Sequence, residues 1–177
     1  ACNSPDKTTF KVGVIGPLTG EGANYGDAMK NGIDLAIGDL NSKGGYHGQK
    51  VEAVYEDDQF SVTEAIKGFN YLKDVSKVPV IFGSAASGVS KALAPLANQN
   101  KIVLFSSIST SDSLKFAGPY FFRNISANAM EARTVANFLL NRLKIKNVGV
   151  FYENNEYGLN MNAVFKQEFK GNIVFNQ

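Results

Sequence analysis

Two short stretches of this chain are crowded with small hydroxyls: Ser84–Ser90, which reads SAASGVS, and Ser106–Asp112, which reads SSISTSD. Each follows directly on an apolar run of strand character, and the first runs straight into a helical pattern. Seryl and threonyl hydroxyls beside the open N–H groups of a helix N-terminus can hold an anion such as a carboxylate, because fixed dipoles replace the water the anion gives up. Ser87 stands at the start of that helix. The same residue types also cap helices in proteins that bind nothing there, so the hydroxyls have both a binding reading and a structural one.

Other chemistries fit less well. The segment Gly20–Gly26, GEGANYG, follows a strand as a dinucleotide fingerprint would, with Asp57 or Asp58 as a possible ribose ligand. Its last glycine falls one place late, however, and Pro17 stands where the phosphate turn should begin. The residues around Ser87 lack the flanking glycines of a nucleophile elbow. The one histidine, His47, sits in the turn-like SKGGYHGQK between a helix and a strand, away from the hydroxyl loops. Tyr157 lacks a lysine four residues on, where Met161 stands, so the tyrosine and lysine pair of a short-chain dehydrogenase is missing. Glu56, Asp57 and Asp58 are sequence neighbours whose side chains alternate in direction on a strand; they are expected to be solvated rather than to hold a metal.

The chain alternates short apolar runs with longer segments of helical period. Phe10–Gly16 reads as a strand; then Ala28, Met29, Ile33, Ala36, Ile37 and Leu40 repeat close to a 3.6-residue period. KVEAVYED is the next strand, and Ser61 with Glu64 has the spacing of a capping box. The expected order continues with a strand over 79–82, a helix over 88–98, a strand over 102–105 and the short run YFFR. It closes with a helix over 128–143, the strand NVGVFY, a helix over 159–169 and NIVFN. Such alternation predicts an α/β fold with a parallel, doubly wound sheet, since parallel neighbours need a crossover and a helix usually supplies it. Strands such as VPVIF and KIVLF are apolar on both faces, as a sheet covered on both sides requires. Ligands of open α/β sheets bind outside the carboxyl ends of the strands, so Pro17–Asp27, Ser84–Ser90 and Ser106–Asp112 should share one rim.

Composition narrows the function classes. With 44% hydrophobic and 19% charged residues, a formal net charge of +2 and no basic cluster, nucleic acid is a poor partner. No apolar run approaches the ~20 residues of a membrane-spanning helix. Cys2 is the sole cysteine, preceded by a small residue and followed by a polar stretch, which reads equally as the acylated terminus of a processed bacterial lipoprotein or as an unremarkable terminal residue. No cofactor is expected. The rhythm breaks near 123–127, after the Gly-Pro pair and aromatic cluster of SDSLKFAGPYFF, which predicts two lobes with the boundary there.

The motif order KVGVIGPLTGEGANYGDAMKNGIDLAIGDLNSKGGYHGQKVEAVYEDDQ, then VIFGSAASGVSKALAPLANQNKIVLFSSISTSDSL, FFRNISANAMEARTVANFLL and VGVFYENNEYGLNMN, resembles the type I periplasmic binding proteins of the branched-chain amino acid class. These serve ABC transporters, and the likeness runs from Lys11 nearly to the end of the chain. It implies two lobes closing on a small molecule, with 1–124 forming most of the first lobe and 125–177 the beginning of the second. By motif, Ser87, the backbone around Ile108 and Ser109, and Thr110 would clamp a ligand carboxylate, while Tyr25, Asn128 and Tyr157 would line the cleft. Some relatives have a disulfide leading into the serine loop; Ala86 stands there in this chain. The implied role is non-catalytic capture of a branched-chain or related amino acid for an ABC permease. The implied place is the periplasm or, through Cys2, the outer side of the cytoplasmic membrane. A ligand-sensing receptor or regulator domain of the same fold is the competing reading, and a dinucleotide-dependent enzyme a more distant one.

Overall fold

A computed structural model describes residues 9–177; Cys2, the candidate lipid anchor, lies outside them. The elements alternate as expected. They are β1 (Thr9–Gly16), α1 (Ala23–Ser42), β2 (Lys50–Asp57), α2 (Val62–Asp74), β3 (Val80–Phe82), α3 (Ser87–Asn100), β4 (Val103–Ser106) and β5 (Phe121–Arg123). After these come α4 (Asn128–Asn137), β6 (Asn147–Val150), α5 (Glu156–Glu168) and β7 (Asn172–Asn176). The first five strands form one parallel sheet in the order β2-β1-β3-β4-β5, with β1 and β2 in register from Thr9 opposite Lys50 to Gly16 opposite Asp57. The last two form a separate parallel pair.

Both faces of the larger sheet are covered, as its doubly apolar strands demand. On one face α2 and α3 pack Phe69, Leu72, Leu93 and Ala97 against Ile15, Ile81 and Leu104, all of them fully buried. On the other, α1 sets Met29 over Val14 and Ala85, with Ile33 and Tyr55 at the margin. The second unit has its own small core, where Ala132 and Ala136 of α4 meet Phe165 and Phe169, whose rings stack at 5.2 Å. None of these apolar clusters spans the two units.

Local chemistry sets several element ends. Ser61 caps α2 by accepting the N–H of Glu64 at 3.4 Å, but the return half of the capping box is not made: Glu64 pairs with Lys67 at 2.7 Å, and the Ser61 N–H goes to the carbonyl of Asp58. The helix expected over 128–143 is α4 followed by a wider π turn over Phe138–Arg142. Gly83 ends β3 at φ +136°, where an added Cβ would run into the carbonyl oxygen of Ile15. Only glycine fits between those two strands.

Candidate ligand-binding site

The strand order contains a reversal. From β1 the chain crosses to β2 on one side, then returns to place β3 on the other, so the loops leaving β1 and β3 diverge and open a crevice at their carboxyl ends. A cleft of about 450 Å³ lies there. Tyr25 enters it from the segment after β1, Ala85–Val89 from the segment after β3, and Ile108 and Thr110 from the segment after β4. Glu153, Glu156 and Tyr157 close it from the second unit, with Glu131 from α4. Gly26 permits this arrangement, because a Cβ there would collide with the carbonyl of Pro17 and lift the start of α1 away from the rim.

Ser87 is the first residue of α3. The N-cap is Ala86, no side chain caps the helix, and residues 86–89 all border the cleft, so the positive end of the helix faces it. The Ser87 hydroxyl accepts the N–H of Ser111 at 3.2 Å, which draws the β3 and β4 loops together. Among the described residues it makes no hydrogen bond as a donor, so its proton is available to a ligand.

Most of the other serines have a different task. Three hydroxyl oxygens surround the carbonyl of Ser84, Ser106 at 2.8 Å, Ser109 at 2.9 Å and Ser90 at 3.2 Å, and Ser90 and Ser109 share a hydrogen bond at 2.8 Å, so that one of that pair donates to the other. All four residues are buried. They form a polar spool behind the cleft wall, in which each buried hydroxyl is satisfied by a neighbour. Of the seven residues named from sequence, Tyr25, Ser87, Ile108, Thr110 and Tyr157 border the cleft. Ser109 does not: its hydroxyl belongs to the spool and its N–H goes to the Ser106 hydroxyl at 3.0 Å. Asn128 is also fully buried outside the cleft wall, giving its amide N–H₂ to Asn160 and to the Tyr157 carbonyl while its own N–H holds the Thr110 carbonyl. Among the described residues its Oδ1 has no partner.

Sequence reasoning missed four features of this site. Phe60 and Val62 line the cleft from the segment after β2, a strand end on the same rim; applying the rim argument to that fourth loop would have found them. Asp58, expected in solvent, is fully buried and accepts the Ser84 hydroxyl and the Phe60 N–H, because the Gln59–Phe60 turn folds over it. Burial pushes its carboxyl up, against the pull of those two hydrogen bonds. Asp57 is not free either. It takes the N–H groups of Leu18 and Gln59 and the Thr19 hydroxyl, which ties the segment after β1 to the end of β2.

The fourth is Glu156, which links the units. Its carboxylate accepts Ser113 Oγ at 2.7 Å and Ser111 Oγ at 3.2 Å and pairs with Lys91 Nζ at 3.1 Å. The Ser113 hydrogen bond, working against partial burial and joined by Lys91, holds this carboxyl below its ordinary range. Glu131 and Glu153 have no such cation among the described residues; they lie near Tyr157, whose phenol is pushed up by burial first and by these two carboxylates next. Among the described residues no cluster of three or more His, Cys, Asp or Glu could hold a metal ion, and no helix is long and apolar enough to cross a membrane.

A family model described as a periplasmic binding protein matches residues 9–174. Leu/Ile/Val-binding protein homolog 3 of Brucella melitensis is 27% identical over 165 residues, covering 92% of this chain and 45% of that protein. The leucine-, isoleucine-, valine-, threonine-, and alanine-binding protein of Pseudomonas aeruginosa is 26% identical over 151 residues, 85% of this chain and 40% of its own length. The chain therefore spans less than half the length of these relatives. Among solved structures, the branched-chain amino acid transporter substrate binding protein LivJ of Streptococcus pneumoniae, in complex with isoleucine, superimposes with a TM-score of 0.90 at 28% identity, covering 95% of this chain and 49% of that one. The solute binding protein of an ABC transporter from Rhodopseudomonas palustris, in complex with 3,4-dihydroxybenzoic acid, gives 0.88 at 28% identity, covering 96% and 47%.

Proposed function

Since this chain belongs to the periplasmic binding protein family, we propose that it is part of the extracytoplasmic solute-binding component of an ABC importer, non-catalytic, capturing a branched-chain or related amino acid by lobe closure. Residues 1–124 form most of the first lobe and 125–177 open the second. The ligand carboxylate sits at the start of α3, receiving the Ser87 hydroxyl and open N–H groups of that helix, with Thr110 and the backbone at Ile108 beside it. Tyr25 and Tyr157 cover it from the two sides. Ser109 and Asn128 contribute by holding the Thr110 loop rather than by touch. The protein acts in the periplasm or on the outer side of the cytoplasmic membrane, anchored there if Cys2 carries lipid, and delivers its cargo to a permease.

One observation carries this reading: the uncapped end of α3, with a donor hydroxyl and no competing side chain, opens on a largely apolar cleft at the switch point of the sheet. Phe60, Val62, Val89 and Ile108 suit an apolar side chain. Glu131 and Glu153 favour a ligand that brings an ammonium group over a benzoate-type monoanion, since like charge opposes the latter. The test is a thermal melt of the full-length protein with L-leucine, L-isoleucine, L-alanine and 4-hydroxybenzoate. A rise in midpoint with the aliphatic amino acids supports the reading, by mass action on the folded state. No shift with any of the amino acids refutes it.

A further inference from the structure

Asp58 is the one fully buried carboxylate among the described residues, and no step of ligand capture proposed above uses it. Its Oδ1 accepts the N–H of Phe60 at 2.9 Å and its Oδ2 the hydroxyl of Ser84 at 2.5 Å. Its backbone N–H meets the carbonyl of Gly16 at the end of β1. One side chain thus joins the ends of β2 and β3, which are not neighbours in the sheet, across the end of the strand between them.

Each partner leads to a different wall of the cleft. Gln59 and Phe60 have φ of +48° and +58°, left-handed values that residues other than glycine hold only with support. The carboxylates of Asp57 and Asp58 supply it by taking the two N–H groups of that turn. The turn sets the Phe60 ring against the cleft, with its centroid 6.1 Å from that of Tyr25. On the other side, the Ser84 hydroxyl receives the N–H of Ala86 at 3.4 Å, and Ala86 is the N-cap of α3, immediately before Ser87. Burying an acid without a cation costs free energy that its hydrogen bonds offset only in part.

We propose that Asp58 is a positioning residue for ligand capture, fixing the Phe60 wall relative to the start of α3 so that an apolar side chain and a carboxylate are gripped together. This rests on the cleft being the amino acid site. The assignment predicts that the contribution of Phe60 to binding depends on Asp58, which a general stabilising role would not produce.

Calorimetric titration of the full-length protein with L-leucine, on wild type, Asp58→Ala, Phe60→Ala and the double variant, measures that dependence. Phe60→Ala should weaken leucine by roughly fivefold or more in the wild-type background and by less than about twofold once Asp58 is Ala, a coupling expected of residues that share one arrangement. Asp58→Asn, which retains an acceptor for the Phe60 N–H, should restore most of the coupling. Should Asp58→Ala not fold, Ser84→Ala breaks the same link and is cycled with Phe60→Ala in its place. Additive losses, or a Phe60→Ala variant that binds as wild type does, overturn the assignment while leaving the cleft reading intact. A folded wild type that fails to bind leucine, isoleucine or alanine overturns both.

Discussion

Ser87→Ala separates the two roles of the hydroxyls most sharply. In the folded protein the Ser87 oxygen accepts the Ser111 N–H at 3.2 Å and, as a donor, is free to meet a ligand. A hydrogen bond to a charged group contributes about 1.5–3 kcal/mol net, so losing the one to a ligand carboxylate should weaken leucine roughly 10- to 150-fold. Ser111 is fully buried, and leaving its N–H unpaired costs a further ~1–3 kcal/mol of folding stability. Ser109→Ala makes the comparison informative. Ser109 donates to the Ser84 carbonyl and touches Ser90 and Ala85, none of which is ligand, so its loss should lower the melting midpoint with a much smaller effect on affinity. Titration calorimetry with L-leucine and ligand-free melts on both variants give the two quantities separately. If Ser87→Ala binds within twofold of wild type, or Ser109→Ala loses as much affinity as Ser87→Ala, the division between donor and spool is mistaken.

Glu156→Gln removes the charge that Lys91, Ser111 and Ser113 hold across the two units. For so partly exposed a pair ~0.5–1 kcal/mol is expected, hence leucine binding about two- to fivefold weaker by calorimetry at low salt and less affected at high salt. The pH dependence of that contribution has a definite sign. Glu156 titrates lower in the fold than its ordinary 4.5, so its contribution is fully present above 4.5 and fades as pH falls through the folded value. Melts of wild type and Glu156→Gln should therefore converge in acid, and a gap that widens instead would contradict the assigned partners. Gly83→Ala forces a Cβ into the Ile15 carbonyl at a left-handed φ, and should cost at least ~1–3 kcal/mol and weaken leucine by tilting the segment that carries Ser87; a melt and titration like wild type would show that the strand end has room to adjust. Phe69→Ala, at the fully buried centre of the α2 and α3 layer, should lower unfolding free energy by ~3–5 kcal/mol in urea, whereas a loss under 1 kcal/mol would mean the core collapses around the gap.

By itself the sequence determined the alternation of strands and helices, because a period of two or of 3.6 is a property of neighbouring residues and needs no distant partner. It also placed Tyr25, Ser87 and Thr110 on one rim, since every parallel strand delivers its carboxyl end to the same edge. It did not determine the order β2-β1-β3-β4-β5, and with that order came the crevice between β1 and β3. Only the tertiary structure distinguished Ser87, facing the cleft, from Ser109, turned into the spool, although both lie in serine-rich loops of similar composition. Only it buried Asp58 under a left-handed turn and set Glu156 against Lys91, 65 positions away in the chain. Those outcomes depend on how helices seat on the sheet and how one loop covers another. Burial and pairing belong to the assembled layers, whereas period and polarity are written residue by residue.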